Sequence, residues 1–149
     1  MPHRIVPDIV GEQDLCVLPG DASVREAAKL MADRHIGAVM VGKDGRLEGI
    51  FTERDLTIRI VARGRDPEGT KLWEVMTKDP DTASPSDTPA SALKRMRDRG
   101  FRHLPVVNGK QIVAIVSVRD LYANVNRELE NDVRDRDAFI FGVGHGGLA

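Results

Sequence analysis

The chain has 149 residues, 41% hydrophobic and 30% charged, and its 22 basic and 23 acidic side chains leave a net charge of -1. This is the composition of one water-soluble domain, or of two small halves sharing a core, with no overall field drawing it to nucleic acid or a membrane surface. The longest apolar runs, such as residues 112–116, fall far short of the ~20 residues a membrane span needs, and no signal-like stretch follows Met1, so a cytoplasmic location is the expectation.

Residues 15–18 read as a short strand, and Cys16 within it is the single cysteine of the chain. It can form neither an internal disulfide nor a Cys-based zinc site, and reads as a buried strand residue. Ser23, with Glu26 three residues on and Val24, Ala27, Ala28, Leu30 and Met31 at helical spacing, predicts a helix opened by a capping box. Residues 38–41 are short and rich in β-branched side chains, and predict a strand; Asp44-Gly45 closes a tight hairpin onto a second strand at residues 47–51. At Thr52-Glu53-Arg54-Asp55 a hydroxyl three residues before an acid marks another helix start, and that helix runs through Ile58, Ile60 and Val61 to a cap near Gly64.

A polar connector follows, with a short helical segment over residues 72–76, and then the same elements recur. Residues 81–84 match the first strand. Thr88 stands where Ser23 stood, with Pro89 in the first helical position and Ala92, Leu93 and Met96 as the apolar stripe. Strands at residues 104–107 and 112–116 flank Asn108-Gly109, and Ser117-Val118-Arg119-Asp120 repeats the second helix start. Residues 19–56 and 85–121 thus run in parallel at an offset of 65 to 66. The expected division is a first repeat over 8–64, a connector over 65–74, a second repeat over 75–123 and a C-terminal helix and tail over 124–149. A half of about fifty residues buries too little surface to stand alone, so the halves are expected to share a core about a pseudo-twofold axis.

Beyond the repeat, Leu121, Val125, Leu129 and Val133 fall four apart and predict an amphipathic helix, packed on its own body or exchanged across a dimer. The residues 142–147 spell G-x-G-x-x-G, but only Leu148 and Ala149 follow, so no helix can open onto a pyrophosphate. A mobile tail, or one docked on a partner by Phe139 and Phe141, is the alternative. His3, His35, His103 and His145 lack ligand spacing, which leaves a metal site unsupported. No nucleophile–base set or paired catalytic carboxylates emerge, so no enzyme is expected. An aromatic fraction of 4% and interleaved charges argue against nucleic acid.

The phrases at residues 72–80 (LWEVMTKDP), 101–107 (FRHLPVV) and 115–121 (IVSVRDL), with two matching copies of hydrophobic-hydrophobic-[Ser/Thr]-x-Arg-Asp, resemble tandem CBS domains, named after cystathionine beta-synthase, over about residues 8 to 123. The resemblance implies an α/β (α+β) fold of two pseudo-twofold-related repeats, each a small β-sheet with helices, packed through their sheets around two ligand clefts. It also implies a homodimer of pairs, an unidentified protein target, and an adenosyl ligand: AMP, ADP, ATP, S-adenosylmethionine or a dinucleotide. That ligand would be regulatory and not a catalytic cofactor.

The chemistry of the motifs suits such a ligand. Arg54 and Arg119 in the first helical turn can fork onto phosphate oxygens beside the positive end of the helix, and Thr52 and Ser117 can donate to the same group. The resemblance gives Asp55 and Asp120 to the ribose hydroxyls, and gives the base to the strand starts: Ile36, Gly37 and Ala38 in the first half, Arg102, His103, Leu104 and Pro105 in the second, with Thr82 alongside. The first half has Ile9-Val10 where the second has Met76-Thr77, and Val39-Met40 where the second has Pro105-Val106, so two unequal sites are expected. Read without a ligand, [Ser/Thr]-x-x-Asp is a plain capping box, and the chain would then be a dimerisation or protein-interaction module.

Overall fold

The computed structural model describes residues 3–11 and 13–140. The elements run β1 (Val17–Leu18), α1 (Val24–Arg34), β2 (Ala38–Lys43), β3 (Arg46–Thr52), α2 (Glu53–Asp55), α3 (Leu72–Val75), β4 (Thr77–Lys78), α4 (Pro89–Arg99), β5 (His103–Asn108), β6 (Gln111–Ser117) and α5 (Val118–Ile140). Helix α2 continues into wider turns over Leu56–Val61, where the Ala62 N–H reaches the Thr57 carbonyl five residues back (2.9 Å). Gly64, at φ 64°, follows, as expected of a helix terminator.

The predicted helix starts are built as the side-chain chemistry requires. Ser23 Oγ accepts from the Glu26 N–H (3.1 Å) and Thr88 Oγ1 from the Ser91 N–H (3.2 Å), with Pro89 in the first turn of α4. Among the described residues Glu26 makes no return bond, so the expected capping box at α1 is only half formed. Both helices end in the left-handed region, α4 at Gly100 (φ 77°) and α1 at His35 (φ 54°), a conformation costly for a side chain other than glycine.

The hairpins differ in their turns. Asp44 and Gly45 both have positive φ between paired Lys43 and Arg46, the geometry of a type I′ turn. In the second hairpin Asn108 still pairs with Gln111, and the turn is Gly109-Lys110 with only Gly109 at positive φ, one residue later than the dipeptide signal suggests. Both hairpins shift register at matching points, between Val41 and Gly42 and between Val106 and Val107. β1 runs parallel to β2, and its counterpart in the second half is a single parallel bridge from Ala83 to Val106. The two small sheets meet at the hairpin ends, where Arg46 pairs with Gln111, and read as one sheet in the order β1-β2-β3-β6-β5, with β4 added to β3.

Two cores result, and each takes residues from the other half. The first holds Val24, Ala27, Met31, Val39, Val41, Phe51 and Ile60 together with Leu72 and Val75 from the lead into the second half. The second holds Ala92, Met96, Leu104, Val106, Ala114, Val116 and Leu121 together with Ile5 and Val10 from the start of the chain. The docking bonds repeat as well. The Leu72 and Trp73 N–H groups donate to the Ala22 and Gly20 carbonyls (both 2.9 Å), and those of Ile5 and Val6 donate to Asp87 and Pro85 (2.9 and 3.0 Å). Each half closes its neighbour's core, so the structure has two separate cores joined by exchanged segments where a single shared core was expected.

α5 fuses the predicted motif helix and the amphipathic helix into one element of 23 residues. Leu121 is fully buried, but Leu129 and Val133 are 57% and 53% exposed, so the stripe leaves the body of this chain beyond its first turns. The Val125 and Phe139 side chains, and Phe141 with the glycine-rich tail, lie outside the described residues. Among the described residues no helix is long and apolar enough to cross a membrane.

Candidate ligand clefts

Strand alternation splits β2 between two tasks: Val39 and Val41 enter the first core, while Ala38 and Met40, buried on the opposite face, line a cleft. Two clefts lie between the halves. The first, ≈ 660 Å³, takes Thr52, Arg54 and Asp55 from the first motif and Thr77, Pro80 and Asp81 from the lead of the second half. The second, ≈ 830 Å³, takes Ser117, Arg119 and Asp120 from the second motif and Gln13, Asp14 and Cys16 from the lead of the first. Both volumes are in the range of small-molecule sites. Each cleft therefore joins the motif of one half to the lead of the other.

Both motifs form the reciprocal capping box. The Asp55 N–H donates to Thr52 Oγ1 (3.2 Å), while Asp55 Oδ2 accepts from the Thr52 N–H (2.9 Å) and hydroxyl (3.1 Å). In the second half the Asp120 N–H donates to Ser117 Oγ (3.2 Å) and Asp120 Oδ2 accepts from the Ser117 N–H (2.9 Å). The box engages only one carboxylate oxygen, so capping and ligand contact are not exclusive. The remaining oxygens differ: Asp55 Oδ1 lies 3.5 Å from Arg59 Nε, whereas among the described residues Asp120 Oδ1 has no partner. Arg59 also donates to the Val75 and Met76 carbonyls (2.7 and 3.3 Å). Its counterpart one turn after Asp120 is Asn124, buried, with Nδ2 3.2 Å from His3 Nδ1 and Oδ1 without a partner among the described residues.

The helix starts are less open to an anion than their sequence suggests. The Glu53 N–H is taken by the Gly37 carbonyl (3.0 Å) and the Val118 N–H by the Arg102 carbonyl (2.9 Å). With the third amide of each turn inside the capping box, the Arg54 and Arg119 amides are the first-turn donors left over among the described residues. Arg54, Arg119 and Arg102 are exposed and make no ion pair among the described residues. Two of the cleft acids are paired, Asp81 with Arg99 (2.7 Å) at the first cleft and Asp14 with Arg34 at the second.

Of the base-slot residues, Ile36, Gly37 and Ala38 line the second cleft, and Arg102 and His103 line both. Leu104 and Pro105 line neither: Leu104 points into the second core and Pro105 is buried in the strand. Thr82 also lines neither, and its carbonyl accepts from Arg95. Cys16 is half-buried beside β1 and not in it, on the wall of the second cleft. Glu53, Gln13 and Thr77 line clefts without a sequence signal of their own. Gln13 clamps the Ile115 backbone with both ends of its amide, each at 3.0 Å.

Gly37, Glu53, Arg102 and His103 border both clefts. Burial lowers the His103 pKa from its ordinary 6.5, and Arg102 lowers it further, against the opposing carboxylates of Glu53 and Asp120. The unfolded chain takes up this proton near 6.5 and the folded protein only at lower pH. The stabilisation is therefore intact above that value and is lost as pH falls through the window. The urea midpoint is expected to drop between pH 7.5 and 5.5, and to drop less in His103→Gln; an equal drop in both would remove His103 as the cause.

The arrangement defines a class: two duplicated α+β halves closing paired clefts, each faced by a helix-capping aspartate and an arginine. The CBS-domain family model matches residues 6–62 and 72–127, and the chain belongs to that family as a tandem pair. It is 34% identical over 119 residues to the CBS domain-containing protein YhcV of Bacillus subtilis, covering 80% of this chain and 84% of YhcV. It is 33% identical over 127 residues to the mitochondrial CBS domain-containing protein CBSX3 of Arabidopsis thaliana, covering 82% of this chain but only 62% of that protein. Among solved structures, the CBS-domain containing protein ATU1752 of Agrobacterium tumefaciens superimposes with a TM-score of 0.69 at 31% identity, over 75% of this chain and 89% of that one. A CBS domain protein of Pyrobaculum aerophilum, complexed with AMP, does so at 0.67 and 28% identity, over 73% and 84%.

Proposed function

We propose that this chain is a non-catalytic regulatory module that binds an adenosyl ligand between its two CBS repeats and signals by a small shift in their packing. The observation that carries the reading is the pair of clefts in which each [Ser/Thr]-x-Arg-Asp helix start faces the lead of the opposite half. A ligand seated there touches both halves at once, and it biases their relative packing by its differential affinity for the two arrangements. In the second cleft Asp120 Oδ1 takes a ribose hydroxyl, Arg119 and Arg102 take phosphate, and Ile36, Gly37, Ala38 and Met40 take the base. In the first cleft Asp55 must share its outer oxygen with Arg59, which makes the second cleft the stronger site. The AMP bound by the Pyrobaculum relative supports the ligand class.

Calorimetric titration of nucleotide-stripped protein with AMP, ATP, S-adenosylmethionine and NADH tests this. Saturable binding of at least one ligand is expected, abolished in the folded Asp55→Ala/Asp120→Ala double variant. Unchanged affinity in that variant sinks the reading.

A second reading rests on Ile58 and Val61 beyond α2 and on Tyr122, Leu129 and Val133 of α5, which are 45% to 70% exposed. Exposed apolar side chains on these helices suit a homodimer, and a chain that dimerises yet binds none of the four ligands is an assembly module with an unidentified protein target. Sedimentation velocity alongside the titration separates the two.

A further inference from the structure

We infer that the two clefts bind phosphate-bearing ligands anticooperatively because they share one arginine, Arg102, in their common wall. The inference rests on the proposed function and concerns how its two sites regulate each other. Arg54 belongs to the first cleft alone and Arg119 to the second, but Arg102 borders both, together with Gly37, Glu53 and His103. Arg102 is exposed and carries no ion pair among the described residues, so its guanidinium is not committed to a partner within the chain. One guanidinium forks onto one phosphate. The second anion to arrive finds that donor engaged and meets the charge of the first.

A backbone link runs the same way. The Glu53 N–H holds the Gly37 carbonyl (3.0 Å) and the Val118 N–H holds the Arg102 carbonyl (2.9 Å). Each motif helix is thus tied to a strand start that borders both clefts, and a shift of either helix on binding displaces the common wall. Coupling between sites is a free-energy difference that acts equally in both directions, so occupancy of either cleft weakens the other by one factor.

Unequal but independent sites also give a two-step isotherm, so the test compares wild-type protein with single-cleft variants. AMP is titrated into nucleotide-stripped wild type, Asp55→Ala and Asp120→Ala, with Asp55→Asn and Asp120→Asn, which retain an acceptor for the cap, substituting for any alanine form that does not fold. Each variant is expected to bind one AMP. The second wild-type step is expected to be weaker than the single step of either variant, by roughly tenfold given typical couplings, and Arg102→Gln to narrow the gap between the two steps. A wild-type isotherm equal to the sum of the two variants overturns the coupling and leaves the function standing, as does a variant that binds nothing because its remaining cleft is inert. Failure of AMP, ATP and NADH to bind at all overturns the coupling; failure of S-adenosylmethionine as well overturns the function with it.

Discussion

Leu72→Ala is expected to lower the unfolding free energy by about 3 kcal/mol and the thermal midpoint by roughly 6–12 °C, with both halves still unfolding in one transition. Leu72 is fully buried, and it fills the core of the first half although it belongs to the lead of the second. Its truncation opens a cavity between Val24, Phe51 and their neighbours, and it loosens the segment whose N–H groups hold Gly20 and Ala22. Total stabilities of small domains are only about 5–15 kcal/mol, so a loss of this size is a large share. The matching residue Ile5, also fully buried, plays the same part in the second core, and Ile5→Ala should lower the same single transition. Trp73, the only tryptophan, adjoins Leu72 and reports on the first half by fluorescence, while far-UV circular dichroism reports on both. Coincident urea transitions for the two probes are the expected result; a dichroism curve that splits into two steps, with Trp73 following only the first, would show that the exchange does not bind the halves into one unit.

What could be read from the sequence is what neighbouring residues decide among themselves. Ser23 and Thr88 open helices because a hydroxyl reaches an amide three residues on, and the Thr52–Asp55 and Ser117–Asp120 boxes close over the same span. Asp44-Gly45 turns where its access to positive φ permits. The duplication itself supplied the architecture. Contacts at long range left no such trace. Nothing local marks Ile5 for the core of the second half, or Gln13 for the backbone of Ile115, 102 residues away. Leu104 and Pro105 read as part of a ligand slot from their place in a phrase, yet β5 turns Leu104 into the second core and keeps Pro105 buried, and the slot stops at His103. The matching Asn124 and Arg59 show how far duplicated positions have diverged: one is buried, its side chain reaching His3, while the other spans from Asp55 to the carbonyls of the next half.

Gly37→Val is expected to weaken ligand binding at both clefts together, by roughly 10- to 100-fold, the equivalent of about 1–3 kcal/mol of overpacking. Gly37 does not have positive φ, so its backbone accepts a side chain and the issue is one of space. A Cβ at this position would overlap the Glu53 carboxylate and lie 3.1 to 3.2 Å from the His103 ring. Alanine is tolerated at small cost, because Glu53 is exposed and its carboxylate is the far end of a flexible side chain that can swing away. The branched methyls of valine leave no such escape, and they press His103 and Glu53 into the two spaces a ligand would fill. The fold should survive, since Gly37 is half-buried and belongs to neither core, and an unchanged thermal midpoint would confirm this. Asp120→Ala removes an anchor from the second cleft alone, whereas Gly37→Val acts where the clefts share a wall. The two variants should therefore differ in stoichiometry: loss of one bound AMP per chain in the first, and weakening of both in the second. Wild-type affinity at either cleft in a folded Gly37→Val protein would mean that ligands do not reach the shared wall.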